Sequence, residues 1–344
     1  MGGAERVAIN LAKIFSKKRH PVKIISLFKS NRKTFFGAQG IDVVYLSEVG
    51  CAYTDNLFSK IKTFLILRDF YKKNIFFGSE FIISTFPILS IFSILLFKGN
   101  LSRLIASEHS SYFAHNFFIR FLRVFYYRKN VRVITLTRND SILFSKHNIK
   151  ASFIPNPVIN FPINRKVAAK RKKIHCLSVG RLHKDKGFDR LIDIANELRD
   201  ENIIFTIVGS GSEKLNLKRK IIELKLTQSV KIINASNDIE KFYFKSDIYL
   251  LTSRTEAFAM VLLEAMSFGL PIISFDCPVG PREIIRDNYN GFLIKDGSTK
   301  QFAEHVKLLI SNKPLFNKMS TNALKSAKNY SPDTIYSLWA KYLN

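Results

Sequence analysis

Acidic residues are scarce in this 344-residue chain, where 27 Asp and Glu stand against 54 Lys and Arg for a net charge of +27. Such an imbalance calls for an anionic partner. Cysteine is scarcer still: Cys51, Cys176 and Cys277 are far apart and odd in number. That leaves neither a disulfide framework nor the CxxC or His-rich spacing of a zinc site, and it suits a reducing cytoplasm. Long apolar runs are missing too. The longest uncharged stretch, Phe81 to Phe97, has seventeen residues and contains Pro87. It falls short of the roughly 20 residues a bilayer-spanning helix needs. It reads instead as a buried strand, FIISTF, followed by a helix, PILSIFSILLF, with proline in its first turn. No secretory signal precedes the first motif. No DxD pair stands where it would hold a metal, since Asp185 and Asp189 are split by basic and apolar residues, so no metal site is expected. None of the standard nucleic-acid reading modules is present, so nucleic acid is not the expected partner.

Apolar residues make up 47% of the chain, a globular composition, and the length fits two domains of roughly 150 to 170 residues each. The first half alternates short apolar runs (VKIISLF, VVYL, FIISTF, LIASEH, VRVITLT) with basic or aromatic helical stretches, which predicts a doubly wound α/β domain over 1–157. FIPNPV at Phe153 to Val158 reads as strand-like, and the prolines and lysines after it mark a linker near 158–173. A second α/β domain over 158–330 is predicted with strands at Ile174 to Val179, Ile203 to Val208, Val230 to Ile233, Ile248 to Thr252, Pro271 to Phe275 and Phe292 to Ile294. After Ser331-Pro332 a last helix, TIYSLWAKYLN, carries the single tryptophan, Trp339.

Large apolar and basic residues interleave at Leu57 to Phe77 (LFSKIKTFLILRDFYKKNIFF) and at Phe117 to Arg132 (FFIRFLRVFYYRKNVR). Such stretches suit interfacial helices on an anionic membrane surface. They suit equally well core-facing helices with solvated basic edges.

The most informative run is TSRTEAFAMVLLEAMSFGLPIISFDCPVGPRE, Thr252 to Glu283. It sets Glu256 on a strand-to-helix loop and Glu264, eight residues on, inside a helix predicted over Ala257 to Phe268. The carboxyl ends of strands in a parallel sheet are where ligands bind. A carboxylate at Glu264, among Val261, Leu262, Ala265 and Phe268, needs a partner such as a ligand hydroxyl or a basic side chain. The plainer alternative has Glu256 capping the helix and Glu264 facing solvent. In the loop after strand Ile174 to Val179, Arg181 and Lys186 lie five apart between Gly180 and Gly187. They can serve as fixed cations for a developing negative charge, or be surface charges beside His183 and Lys184. Gly2 and Gly3 precede an amphipathic helix with Val7, Leu11 and Ile14 on one face. His109 lies just after a strand, as a ligand contact or a structural histidine. VGSGSEK at Val208 to Lys214 is a weaker phosphate candidate, and Glu283 is either functional or a helix cap.

Taken together, the Glu-x7-Glu run, SVGRLHKDKGFDRLIDIANEL at Ser178 to Leu198, the opening MGGAERVAINLA, ASEHS at Ala106 to Ser110 and FIPNPV resemble the retaining nucleotide-sugar glycosyltransferases of family 4. Within that family the wording FDCPVGPREII is most similar to enzymes that build bacterial surface polysaccharides such as O-antigen, capsule or exopolysaccharide. The resemblance implies the GT-B fold, two Rossmann-like domains facing across a cleft, with residues 331–344 crossing back to the first domain. It implies that Arg181 and Lys186 grip the diphosphate and that Glu264 holds the ribose hydroxyls. Glu256 and His109 would face the donor sugar. The amides of Phe258, Ala259, Met260 and Val261, together with the Gly2-Gly3 turn, would approach the phosphates. Ala257 and Ala259 stand where relatives often have glycine. GT-B chains of this type begin with a strand before the Gly-Gly turn; here that strand is missing, which places the expected true start upstream of Met1. The implied activity is a hexosyltransferase that needs no metal or cofactor and moves a hexose or N-acetylhexosamine from a UDP-sugar to a lipid-linked saccharide. Its expected place is the cytoplasm, peripheral at the inner face of the plasma membrane. The alternatives are an inactive or truncated nucleotide- or membrane-binding scaffold of GT-B fold and a GT-B sugar-nucleotide epimerase.

Overall fold

The structure, a computed structural model, describes residues 3–29, 40–47, 57–74, 80–159, 173–236 and 238–343. Gly2, Cys51 and most of the expected linker at 158–173 lie outside the described residues. The chain divides into unit 1, Met1–Pro157 with Pro332–Asn344, and unit 2, Val158–Ser331.

Unit 2 alternates strand and helix: β7 (Ile174–Val179), α6 (Phe188–Glu197), β8 (Ile203–Val208), α7 (Lys214–Glu223), β9 (Val230–Ile233), α8 (Glu240–Lys245), β10 (Ile248–Leu251), α9 (Met260–Ser267), β11 (Ile272–Phe275), α10 (Pro281–Ile284), β12 (Gly291–Ile294), α11 (Thr299–Ser311) and α12 (Lys313–Ala327). The six strands form one sheet in the order β12-β11-β10-β7-β8-β9, and every pairing is parallel. Parallel strands covered on both faces need apolar residues at successive positions; IYLL in β10 and IISF in β11 are buried throughout. Phe205, Leu250, Ile273 and Phe275 of the sheet join Leu191, Phe302 and Val306 of the helices in one core. The chain leaves β7 through β8 and β9 on one side and returns to β10 on the other. The carboxyl ends of β7 and β10 therefore flank the switch point, the place where open parallel sheets bind their ligands. Two side chains fix these ends: Ser178 Oγ donates to the Leu250 carbonyl at 2.6 Å, and the Val179 N–H donates to the Tyr249 hydroxyl at 3.2 Å.

In unit 1 the order is α1 (Gly3–Lys17), β1 (Lys23–Ser26), β2 (Asp42–Tyr45), α2 (Leu57–Lys73), β3 (Ile82–Ser84), α3 (Pro87–Leu96), β4 (Leu104–Glu108), α4 (Phe117–Tyr127), β5 (Arg132–Thr135), α5 (Arg138–Ser145), β6 (Lys150–Phe153) and, from the end of the chain, α13 (Pro332–Ala340). β1 pairs with β2, and β3-β4-β5-β6 form a second sheet, all parallel. The last helix packs on α1: Trp339 meets Phe15 edge-on at 5.8 Å, and the Tyr336 hydroxyl lies 2.8 Å from His20 Nε2. The apolar stretch at 81–97 is split as its proline requires, with α3 only ten residues long. No helix among the described residues is long and apolar enough to cross a membrane.

Several expected element boundaries move. The strand near 153–158 is Lys150–Phe153; Pro155 and Pro157 have no N–H with which to extend the ladder. The strand at Ile248 ends at Leu251. The helix expected from Ala257 starts at Met260, because its N-cap Ala259 is left-handed with φ of 58°. That same helix is not amphipathic. Leu262, Leu263, Glu264, Ala265, Met266 and Ser267 are all buried, which removes the alternative of a solvent-facing Glu264.

Candidate active site

The loops after β7 and β10 meet because one position carries no side chain. Gly187 has a φ of 62°, and a Cβ there would stand 2.0 Å from the Thr252 carbonyl oxygen, so glycine alone permits the contact. Arg254 then ties the loops together. Its N–H donates to the Asp185 carbonyl at 2.7 Å, and its guanidinium grips both Asp189 oxygens at 2.8 and 2.6 Å. Such bidentate pairs fix geometry as well as charge.

Onto this brace the chain places Lys186 and Glu256. Lys186 Nζ lies 2.7 Å from Glu256 Oε1, and the Ser253 hydroxyl donates to the same oxygen at 2.7 Å. The side chains are 20% and 9% exposed, which screens the pair little from each other but leaves the ammonium an open side. Glu256 is therefore an ion-pair partner rather than a helix cap. The loop Cys277–Gly280 closes the other flank, with Gly280 placed so that a Cβ would come 3.1 Å from that of Glu256. Burial, reinforced by the Glu256 carboxylate, pushes the Cys277 thiol up to about 12, so it stays protonated and is no nucleophile at neutral pH. The sequence suggested no role for Cys277.

Glu264 sits one helical turn inside α9, 7% exposed. The Tyr243 hydroxyl donates to its Oε2 at 2.7 Å. Tyr243 is itself held between Tyr249 and Phe268, with ring centroids 6.0 and 5.4 Å away. The sequence calls for a partner such as a ligand hydroxyl or a basic side chain; within the protein this carboxylate accepts from a phenol of α8, 21 residues upstream. At the start of α9, Phe258 and Ala259 are buried, while Met260 and Val261 are partly exposed. The first N–H groups of any helix lack intrahelical acceptors and carry partial positive charge.

Arg181 is the most open of the candidates, with a side chain 76% exposed and 3.7 Å from Asp185. Unit 2 therefore brings Lys186 and Glu256 into contact, leaves Arg181 on the solvent side of the same loop, and keeps Glu264 in the helix behind. VGSGSEK packs under that loop: a Cβ at Gly209 would stand 1.9 Å from the Gly180 carbonyl, which accounts for the glycine without a phosphate. The backbone carbonyl of Glu283 accepts from the Tyr330 hydroxyl at 3.1 Å.

Gly3 and His109 belong to unit 1. Gly3 opens α1. His109 follows β4, with Nε2 3.3 Å from the Ser107 hydroxyl and Nδ1 shielded with no partner among the described residues. Burial lowers its pKa to about 4. The unfolded chain takes up the proton near pH 6.5, while folded His109 refuses it until about pH 4. Over that window the unfolded state binds more protons, so stability falls as pH falls, and the loss is complete below the lower value. It amounts to about 3–4 kcal/mol. Urea midpoints read by Trp339 fluorescence at pH 7 and pH 4.5 should differ less in His109→Gln than in the parent; equal differences would refute this.

Beside His109 lies an assembly with no signal in the local sequence. Glu108, Arg123 and Tyr127 are buried at 2%, 0% and 1%. Arg123 Nη2 donates to Glu108 Oε2 at 2.8 Å, and the Tyr127 hydroxyl donates to Oε1. Arg254 and Ser253 were also missed, although both adjoin the Glu256 loop.

Residues 160–326 match the family of Glycosyl transferases group 1. The chain is 32% identical over 352 residues to the amylovoran biosynthesis glycosyltransferase AmsD of Erwinia amylovora, covering 100% of this chain and 96% of that one. It is 26% identical over 356 residues, 99% of this chain and 95% of the other, to an N-acetyl-D-galactosaminyltransferase of Campylobacter jejuni named for a diNAcBac-PP-undecaprenol glycan. The crystal structure of HepE from Anabaena in complex with UDP aligns with a TM-score of 0.79, at 18% identity, over 99% of this chain and 96% of that chain. At that identity the likeness speaks for the fold, which is GT-B. With a relative above 30% identity along its whole length, the chain belongs to the group 1 glycosyl transferases and is a glycosyltransferase.

Proposed function

We propose that this glycosyltransferase moves a hexose or N-acetylhexosamine from a UDP-sugar onto a lipid-linked saccharide, with retention of configuration and without a metal, as family 4 enzymes of surface polysaccharide assembly do. The observation that carries the reading is the Lys186–Glu256 pair at 2.7 Å, set at the switch point below an exposed Arg181. In the reaction the bond from the sugar C1 to the diphosphate oxygen breaks, a bond from C1 to an acceptor hydroxyl oxygen forms, and the hydroxyl proton leaves with or through the departing UDP. Negative charge grows on the diphosphate. Preorganised cations stabilise such charge in the transition state without reorganising, a task assigned to Lys186 and Arg181, with the N-terminal amides of α9 adding a favourable dipole. Glu256 orients Lys186 and faces the donor sugar. Glu264, aligned by Tyr243, takes the ribose hydroxyls. The contributions of Gly2, Gly3 and His109 rest on the family resemblance alone.

The glycan named for the Campylobacter relative is undecaprenol-linked, and amylovoran biosynthesis names the Erwinia one. The first supports a lipid-linked acceptor, and with it a place on the cytoplasmic face of an anionic membrane; the second supports polysaccharide assembly. Calorimetric titration with UDP in EDTA tests the donor half. Binding should persist without metal and weaken about tenfold or more in Arg181→Ala and in Glu264→Ala, the usual size for a lost hydrogen bond to a charged group. A folded chain that fails to bind UDP, or variants that bind like the parent, would overturn it. An NMR spectrum of the product reads retention or inversion directly.

A further inference from the structure

α4 exposes a row of phenylalanines. At 100° per residue, Phe117, Phe118, Phe121 and Phe125 fall within an arc of about 100°, and they are 74%, 65%, 55% and 51% exposed. The inward side, where a helix of a soluble protein keeps its apolar residues, carries Arg123 and Tyr127, both bound to Glu108. Burial of the ion pair therefore turns the phenylalanines outward. Phe121 and Phe125 stack at 6.3 Å on this exposed face. Cations stand beside it: the Arg120 guanidinium lies 5.8 Å from the Phe117 ring and Lys129 Nζ 5.9 Å from that of Phe125. α3 lies between α4 and α2, and α2 also turns apolar side chains outward, with Phe58 at 76% and Ile61 at 51%.

A contiguous exposed apolar patch marks an interaction surface. Charge identifies the occupant. From Ser110 to Asn139 there are six Lys or Arg and no Asp or Glu. A second copy meeting this face about a two-fold axis would set the same acid-free, cationic patch against itself, which like-charge repulsion opposes. A bilayer with anionic headgroups satisfies both features, since aromatic rings enter the headgroup layer while Arg and Lys meet the phosphates. We propose that the outer face of α4 is the surface by which this protein docks on an anionic lipid bilayer. The proposal deepens the lipid-linked acceptor part of the reading above. It is read by lipid partition and not by turnover, so its failure leaves the UDP site untouched.

The test is flotation of the full chain with phosphatidylcholine vesicles, with and without phosphatidylglycerol. The parent should float with the anionic vesicles. Phe121→Ser with Phe125→Ser should lower the partition coefficient about tenfold or more, with the Trp339 unfolding transition unchanged. Arg120→Gln with Lys129→Gln should bring anionic vesicles down towards the neutral ones. Phe121→Trp should be quenched by brominated acyl chains, a readout that removes no apolar surface. Parental partition in the serine variant, no quenching at position 121, or a parent dimer that the serine variant disperses without any lipid binding would each overturn the proposal.

Discussion

Lys186→Ala should lower kcat for sugar transfer by about a hundredfold to a thousandfold, the usual loss when one preorganised donor to a developing oxyanion is removed. The ammonium is held 2.7 Å from Glu256 Oε1 on a loop braced by Arg254 and Asp189, so it does not have to be recruited when charge appears on the leaving diphosphate. Its loss has a second consequence: Glu256, only 9% exposed, keeps the Ser253 hydroxyl but no cation at that oxygen. Glu256→Gln separates the two effects. It retains the Ser253 contact and frees Lys186, so it should keep UDP affinity while losing turnover. Lys186→Ala should lose both. The measurement is steady-state release of UDP from the UDP-sugar together with UDP affinity. A Lys186→Ala enzyme within about threefold of the parent in kcat would show that the diphosphate charge is met elsewhere.

Arg123→Ala should destabilise unit 1 by about 3–5 kcal/mol, because deleting one member of a buried ion pair strands the other charge in a medium that solvates it poorly. Glu108 would keep the Tyr127 hydroxyl and nothing cationic. The Tyr112 carbonyl would lose its 3.2 Å donor, and Phe144 the guanidinium 5.0 Å from its ring. The one tryptophan of the chain lies in unit 1, 2% exposed against Phe15, so its fluorescence follows unit 1 alone. In urea, that signal should move to lower denaturant while the circular dichroism of unit 2 holds, splitting one transition into two. Removing both charges with Arg123→Met and Glu108→Gln should recover most of the loss, since a buried pair exchanged for neutral groups of like size is often close to neutral. A shift below about 1 kcal/mol in the single variant would sink the assignment.

Much of this was legible without coordinates. The strands of unit 2 are short apolar runs between turn residues, and Ile174–Val179, Ile203–Val208 and Val230–Ile233 fall where the pattern puts them, because strands of a covered parallel sheet are apolar at most positions. Alternation of strand and helix then fixes a doubly wound sheet, and with it the switch point beside the two loops that carry Lys186 and Glu256. What the sequence could not decide are the pairings across long separations. Lys186 and Glu256 lie 70 residues apart, Tyr243 and Glu264 21, Glu108 and Arg123 15, and no local periodicity encodes which charge meets which. The same holds for Ala259, whose left-handed backbone delays α9 by three residues although alanine favours the helix. It holds above all for α4. Its aromatic and basic residues fit a core-facing helix and an interfacial one alike, and only the tertiary structure, by burying Arg123 against Glu108, decided that the phenylalanines face out.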